Sequence, residues 1–294
     1  MGVVCHQLWV LEEDNAEIHF TLYVSNMTLI QFGDESLNGG VLALSGVMSS
    51  LYGSSRFESL YFEDNTGSCG GAVHVTHSPG LLFLDCVFAN NFAAENGGGL
   101  YIDSGSSHSL VTHCDFVNNT AKFGGGAFVD GSSHMHMYSC SFRGNTATNF
   151  GGGLHVTTLS HAMKLSGSSF SNNAATRGGG AMYVYYLNHD LNLVRCNFSN
   201  NKATESSAVG GGMLVDSDNT NITLVNCMFT LNEASSGGGM WWGSENHFPT
   251  FLNCIFSMNS ANFGGGIHLA DKNFNARILS TSFVENSATN NGGG

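Results

Sequence analysis

The chain has 294 residues, of which 42% are hydrophobic and only 11% charged, with 39 glycines and two prolines. So much hydrophobic residue with so little charge excludes a disordered chain and allows a sizeable core. The net charge of −13 arises because nine basic residues are scattered singly among 22 acidic ones; no basic stripe for nucleic acid forms, and no apolar run reaches the roughly 18 residues of a membrane-spanning helix.

In chain order, the opening MGVVCHQLWVLEEDN has no basic region, and its short apolar stretch is broken by His6 and Gln7. It is a poor signal peptide, and any real one is expected to have been removed or to lie outside this sequence. In AEIHFTLYVSNMTL (16–29), Ile18, Phe20, Leu22 and Val24 alternate with polar neighbours, which predicts a strand capping the N-terminal end of a solenoid. Phe32 is followed at the third place by Glu35, and Gly39-Gly40-Val41-Leu42-Ala43-Leu44 is a glycine-to-strand step. Residues 1–56 therefore read as a capping region with a degenerate first coil, and 57–294 as regular repeats.

The regular part is organised on nine phenylalanines: Phe62, Phe88, Phe116, Phe142, Phe170, Phe198, Phe229, Phe256 and Phe283. Three residues after each stands an asparagine: Asn65, Asn91, Asn119, Asn145, Asn173, Asn201, Asn232, Asn259 and Asn286. From Phe88 onward an alanine follows at the fifth place, and then a glycine run such as 97–99, 124–126 or 178–180. A helix could not tolerate three consecutive glycines in every repeat. Period-2 patterning fits instead. The first and third residues after the glycines are apolar (Leu100/Ile102, Ala127/Val129, Leu154/Val156), and a cysteine precedes most of the phenylalanines by two. A third apolar column, including Phe83, Val111, Leu165 and Leu224, lies three residues before the cysteine position. Three short strands in a repeat of about 27 residues predict an all-β, right-handed parallel β-helix of about nine coils, whose equivalent residues form ladders about 4.8 Å apart.

The pairing of F-x-x-N with G-G-[A/L/I/M]-apolar, over roughly residues 57–294, resembles the repeats of the chlamydial polymorphic membrane proteins. That resemblance implies a right-handed β-helix passenger displayed on a cell surface and used for adhesion. This chain departs from the pattern in its glycine run, three long rather than two, and in holding no C-terminal β-barrel translocator within these residues.

Cys86, Cys114, Cys140, Cys196, Cys227 and Cys254 share one ladder position, filled by Ser168 and Thr281 in other coils. No zinc-type C-x-x-C spacing occurs. Ladder neighbours fall inside the Cα window of a disulfide, but Ser168 divides the six into two runs of three. Buried free thiols are therefore expected, with partial disulfide formation as the alternative; Cys5 and Cys69 lie off the ladder and could pair with each other. No glycine run is followed by Lys-Ser/Thr or opens a helix, so phosphate-loop and dinucleotide readings fail. The phenylalanines at 88, 116, 142, 170, 198, 229 and 256 are expected to stack inside, and the asparagines at 91, 119, 145, 173, 201, 232 and 259 to form a turn ladder.

In the loop after the glycine-led strand, in six of the eight complete coils, stand His77, His108, His134, His161, His189 and His247. They read as turn residues repeated with their repeat; His108, His134 and His161 are also weak candidates for a metal or pH-sensing edge. No cofactor is expected. Asp103 and Asp130 occupy equivalent places in adjacent coils, a spacing that would suit a carbohydrate-active enzyme, a polysaccharide lyase or hydrolase. Both begin Ser/Gly loops where aspartate is a common turn residue, no basic residue stands at equivalent places, and G-x-S-x-G and H-E-x-x-H are absent.

The outward position of the glycine-led strand, counted from the end of each glycine run, gives Val73, Tyr101, Phe128, His155, Met182, Leu214, Trp241 and His268. Exposed, Tyr101, Phe128, Met182, Leu214 and Trp241 would make a contact face; a covering loop or a one-residue slip would remove it. Asn26, Asn118, Asn197 and Asn221 sit in N-x-S/T sequons that matter only in a eukaryotic secretory protein. The sequence thus points to a non-enzymatic extracellular or cell-surface β-solenoid, an adhesin or fibre-former. Its expected partners are a host receptor, a glycan or further copies of itself, end to end or side by side. The last glycines, 292–294, are expected to lead into further coils or to be continued by another molecule. The enzyme is the alternative.

Overall fold

The computed structural model describes residues 7–11, 21–25, 28–30, 39–45 and 55–293. Ile18, Phe20, Phe32, Glu35, Cys5, Asn26 and Gly294 lie outside the described residues. The rest is a parallel β-helix with no helix among the described residues. At its N-terminal end, Thr21–Ser25 pairs in parallel with Arg56–Glu58, and Gln7–Leu11 lies antiparallel on its outer edge.

Most regular coils carry four short strands rather than three; in the coil of Phe229 the additional one is reduced to isolated bridges at Glu233 and Ser236. One coil runs through Leu110–Thr112, Asp115–Val117, Thr120–Phe123 and Ala127–Val129, and each pairs with its equivalent in the coils before and after. The additional strand lies between the asparagine turn and the glycine run. Its only inward residue is the repeating alanine (Ala93, Ala121, Ala147, Ala175), too small to register as an apolar column beside phenylalanine and leucine.

The nine phenylalanines form one column with ring centroids 4.5 to 5.2 Å apart, eight of them fully buried and Phe283 exposed at its end. Each fully buried ring contributes about 1.5–3 kcal/mol by leaving water, and stacking adds to that. Beside the column, each asparagine binds three coils at once. The Asn119 amide donates to the Phe88 carbonyl (2.8 Å) and to Asn145 Oδ1 (3.0 Å), while its Oδ1 accepts from the Asn91 backbone and side-chain amides (both 2.9 Å). The six ladder cysteines point inward without disulfides, their thiols donating to backbone carbonyls, as Cys114 Sγ does to the Thr112 carbonyl (3.3 Å). Burial raises the Cys114 thiol and pushes Cys140 up to about 12. Where serine or threonine replaces cysteine, the hydroxyl gains a role, accepting from the Cys140 amide at Ser168 (3.2 Å) and from the Cys254 amide at Thr281 (3.3 Å).

The three glycines are not equivalent. The first has left-handed φ, +64° at Gly97 and Gly124. At the second, a Cβ would lie 2.2 Å from the next coil's carbonyl (Gly98 to the Gly125 oxygen). The third is the least constrained: at Gly99 the nearest atoms would be 3.0 Å away, and Ala72 and Ala181 occupy that place in two coils. In the run 178–180 the left-handed position falls on Gly179 (φ +61°), one residue later than a count from the run's end assumes. Met182 and Val73 therefore point into the core, both fully buried, and the outward column passes through Tyr183 and His74 instead. A one-residue slip exchanges the faces of a strand.

Candidate functional site

The outward column of the glycine-led sheet runs His74, Tyr101, Phe128, His155, Tyr183, Leu214, Trp241, His268. It is not the exposed face the sequence allows for. Tyr101, Phe128 and Leu214 are 9%, 6% and 3% exposed, and only Trp241 and His268 at the far end are half-buried. The column shields itself, its rings spaced 5.2 Å from Tyr101 to Phe128, 4.6 Å to His155 and 4.7 Å on to Tyr183. It is also flanked on both sides.

Those flanks turn the column into a groove of about 410 Å³. Its floor is Phe128, His155 and Tyr183 from three successive coils. Asn96, Phe123 and Phe150, the last residues of the strands that precede the glycine runs, form one wall. The loop after the glycine-led strand supplies the other, with Thr157 and Thr158 in one coil and Tyr185 and Tyr186 in the next. Phe123 meets His155 edge-on at 5.6 Å, and Phe150 lies 4.8 Å from Tyr183. Tyr185 and Tyr186 are 38% and 37% exposed and perpendicular to one another at 4.4 Å, so two rings face solvent at the rim. The wall ends after Phe150 because Gly178 takes the equivalent place in the next coil.

Two carboxylates flank this lining along the axis, Asp130 one coil before Thr157 and Asp216 one coil after Tyr185, at the same register position. The Tyr183 hydroxyl donates to Asp216 Oδ2 (2.6 Å), and Thr157 Oγ1 donates to Asp130 Oδ1. Burial, and then the Asp216 carboxylate, raise the Tyr183 phenol well above its usual range; burial with Asp103 and Asp130 does the same to Tyr101. His155 is 5% exposed and its Nδ1 has no hydrogen-bond partner. Burial drives its pKa down to about 3, an effect the Phe150 carbonyl offsets only in part, so the imidazole is neutral. Asp103 and Asp130 do occupy equivalent places, but both are engaged. Asp103 accepts from Thr76 Oγ1 (3.2 Å) and from the Ser104 amide (2.5 Å), and Asp130 from Thr157.

The six loop histidines do not make one column. His108 and His134 share a register position and stack face to face at 4.7 Å. His161, His189 and His247 occupy the position before it, where His161 meets His189 edge-on at 4.4 Å and His247 stacks on Phe274. His77 lies at a third position, against Gly105. The loops differ in where their histidine falls relative to the strand that follows, and the edge is divided accordingly. Among the described residues no group of three His, Cys, Asp or Glu side chains could hold a metal ion, His108, His134 and His161 included.

The same loops contain a second polar ladder that the histidine alignment conceals: Ser78, Ser106, Ser132, Ser160, Asn188, Asn219 and Asn246, all buried. Asn188 Oδ1 accepts from the Ser160 amide (2.9 Å) and Asn219 Oδ1 from the Asn188 amide (2.9 Å), which fixes the loop wall that carries Tyr185 and Tyr186. Of the sequon asparagines, Asn118 and Asn221 are exposed, the latter donating to Asp190, and Asn197 is half-buried.

Residues 23–170, half of the chain, match the family model described as the right handed beta helix region. No curated protein sequence matches the chain. Among solved structures, it is similar to PfbA, a surface adhesin of Streptococcus pneumoniae, at 11% identity and a TM-score of 0.48, covering 91% of this chain and 72% of that one. It is similar to the A-module of the Azotobacter vinelandii mannuronan C-5 epimerase AlgE6 at 11% identity and a TM-score of 0.42, over 87% and 80% of the two chains. It is similar also to the catalytic domain of a GH87 alpha-1,3-glucanase at 11% identity and a TM-score of 0.38, over 91% and 54%.

Proposed function

Because the chain belongs to the right-handed β-helix family, we propose that it works as a non-catalytic binding solenoid, displayed outside the cell, that holds a glycan chain in the aromatic groove as an adhesin does. The observation that carries this reading is the groove itself. Its volume of about 410 Å³ lies within the range of ligand sites, which combine apolar walls with a few polar groups. Exposed tyrosine rings at the rim offer flat apolar faces for the C–H faces of sugar rings, and the Thr157, Thr158 and Asn96 side chains offer hydrogen bonds to hydroxyls. The groove runs along the solenoid axis across successive coils, which suits a linear ligand.

Against the enzyme alternative stands the state of its two carboxylates. A glycosidase pair needs one group to give a proton and the other to meet the sugar or a water, whereas Asp103 accepts from the Thr76 hydroxyl of the preceding coil and the Ser104 amide, and Asp130 from the Thr157 hydroxyl of the following coil. The test is retention of the protein on insoluble neutral polysaccharides (β-glucan, mannan and galactan), comparing the wild type with Tyr186→Ala. Retention that falls at least tenfold in the variant supports the reading. No retention, or retention unaffected by the variant, overturns it, and release of new reducing ends or unsaturated products that stops in Asp130→Ala supports the enzyme.

A further inference from the structure

We infer that the groove takes uncharged glycan segments and turns away uronate-bearing ones of the same shape. This rests on the reading that the groove is the ligand site and goes on to name the class of ligand. Three observations carry it. No lining side chain bears a formal charge: the groove is made of phenylalanine, tyrosine, threonine, asparagine and one histidine. Two of the lining hydroxyls, Thr157 Oγ1 and Tyr183 Oη, donate to carboxylates in the neighbouring coils, Asp130 and Asp216. These protons are committed to the protein, so toward a ligand the two oxygens act as acceptors. They can bind a sugar hydroxyl, which donates, but offer nothing to a carboxylate, which only accepts.

The charge balance acts in the same direction. A ligand carboxylate would lie one side chain away from two like charges, in a cleft whose walls are ring faces rather than water, where repulsion is stronger than at an open surface. His155 on the floor is buried and neutral and supplies no compensating cation. The cations nearest in sequence to the wall stand outside the lining. Lys122, next to Phe123, is paired with Glu95 at 2.8 Å, and Arg177, next to Gly178, is exposed. The sugar hydroxymethyl group and its oxidised form have nearly the same shape, so the selection would be electrostatic rather than steric.

The test is isothermal titration with matched pairs of hexasaccharides, each a neutral chain (β-1,4-glucan, β-1,4-mannan or α-1,4-galactan) and its C6-oxidised uronate counterpart. The protein variants are the wild type, Asp130→Asn/Asp216→Asn and Arg177→Ala. Asparagine keeps an acceptor for Thr157 and Tyr183 and removes only the charge. The expected result is at least a tenfold preference of the wild type for a neutral chain over its uronate, narrowing severalfold in the double asparagine variant and persisting in Arg177→Ala. Equal or tighter binding of the uronate by the wild type overturns the inference but leaves the groove as the ligand site, as does a preference that the asparagine variant retains in full. Binding of neither member of any pair overturns both.

Discussion

Acidification should weaken the solenoid through one buried imidazole in particular. His155 has a folded-state pKa of about 3, against 6.5 in the unfolded chain. Because the folded value is the lower one, the unfolded chain binds more protons throughout the interval. The contribution of neutral His155 is therefore complete above about pH 6.5 and is lost as pH falls toward 3. At 1.36 kcal/mol per pH unit, going from pH 7 to pH 5 costs about 2 kcal/mol. Burial is the cause, since the ring is packed between Phe128 at 4.6 Å and Tyr183 at 4.7 Å. His155→Phe keeps an aromatic ring in that stack and removes the titration. Urea unfolding of the wild type and the variant at pH 7 and pH 5 should show the wild type losing about 2 kcal/mol more than the variant over that interval. The His74, His136 and His161 pKa values are also lowered, and their losses are common to both proteins. Equal acid sensitivity of the two proteins, or an NMR titration of His155 centred near 6.5, would refute the reasoning.

Further outcomes follow from the ladders. Asn145→Ala removes donors to the Phe116 carbonyl and Asn173 Oδ1 and the acceptor for two Asn119 amide groups; leaving such buried groups unpaired should cost at least about 3 kcal/mol in urea unfolding. Gly98→Ala drives a Cβ to 2.2 Å from the Gly125 carbonyl, whereas Gly99→Ala meets nothing nearer than 3.0 Å. The first should fail to fold or lose several kcal/mol and the second about 1 kcal/mol, read as thermal midpoints. The six ladder thiols are at most 1% exposed and Cys69 is half-buried, so among the described cysteines alkylation followed by mass spectrometry should modify Cys69 first and the ladder only after denaturation.

The parts of this fold legible in the sequence are those that repeat. Phe116, Asn119 and Cys114 each recur at a fixed offset because stacked coils place equivalent residues in contact, and the contact selects the same residue again. What does not repeat was hidden for the same reason. The run 178–180 looks like every other glycine triplet, yet its left-handed position lies on Gly179, and only the pairing of Met182 with Leu154 reveals the shift. The Ser/Asn ladder through Ser106, Ser160, Asn188 and Asn219 is regular in space, but the loops around it vary, so the histidines fall at three different register positions. The groove is hidden most completely. Phe123, Phe150, Tyr185 and Tyr186 occupy places where other coils carry glycine, valine, serine or aspartate, and they converge only because coils far apart in sequence stack.

The most direct measurement is a crystal structure of the protein soaked with the neutral hexasaccharide that it binds best. The account predicts sugar rings lying along the groove between Phe150 and Tyr186, above His155, with a hydroxyl donating to the Tyr183 or Thr157 oxygen. Sugar density on another face of the solenoid, or a groove left empty at saturating ligand, would contradict it.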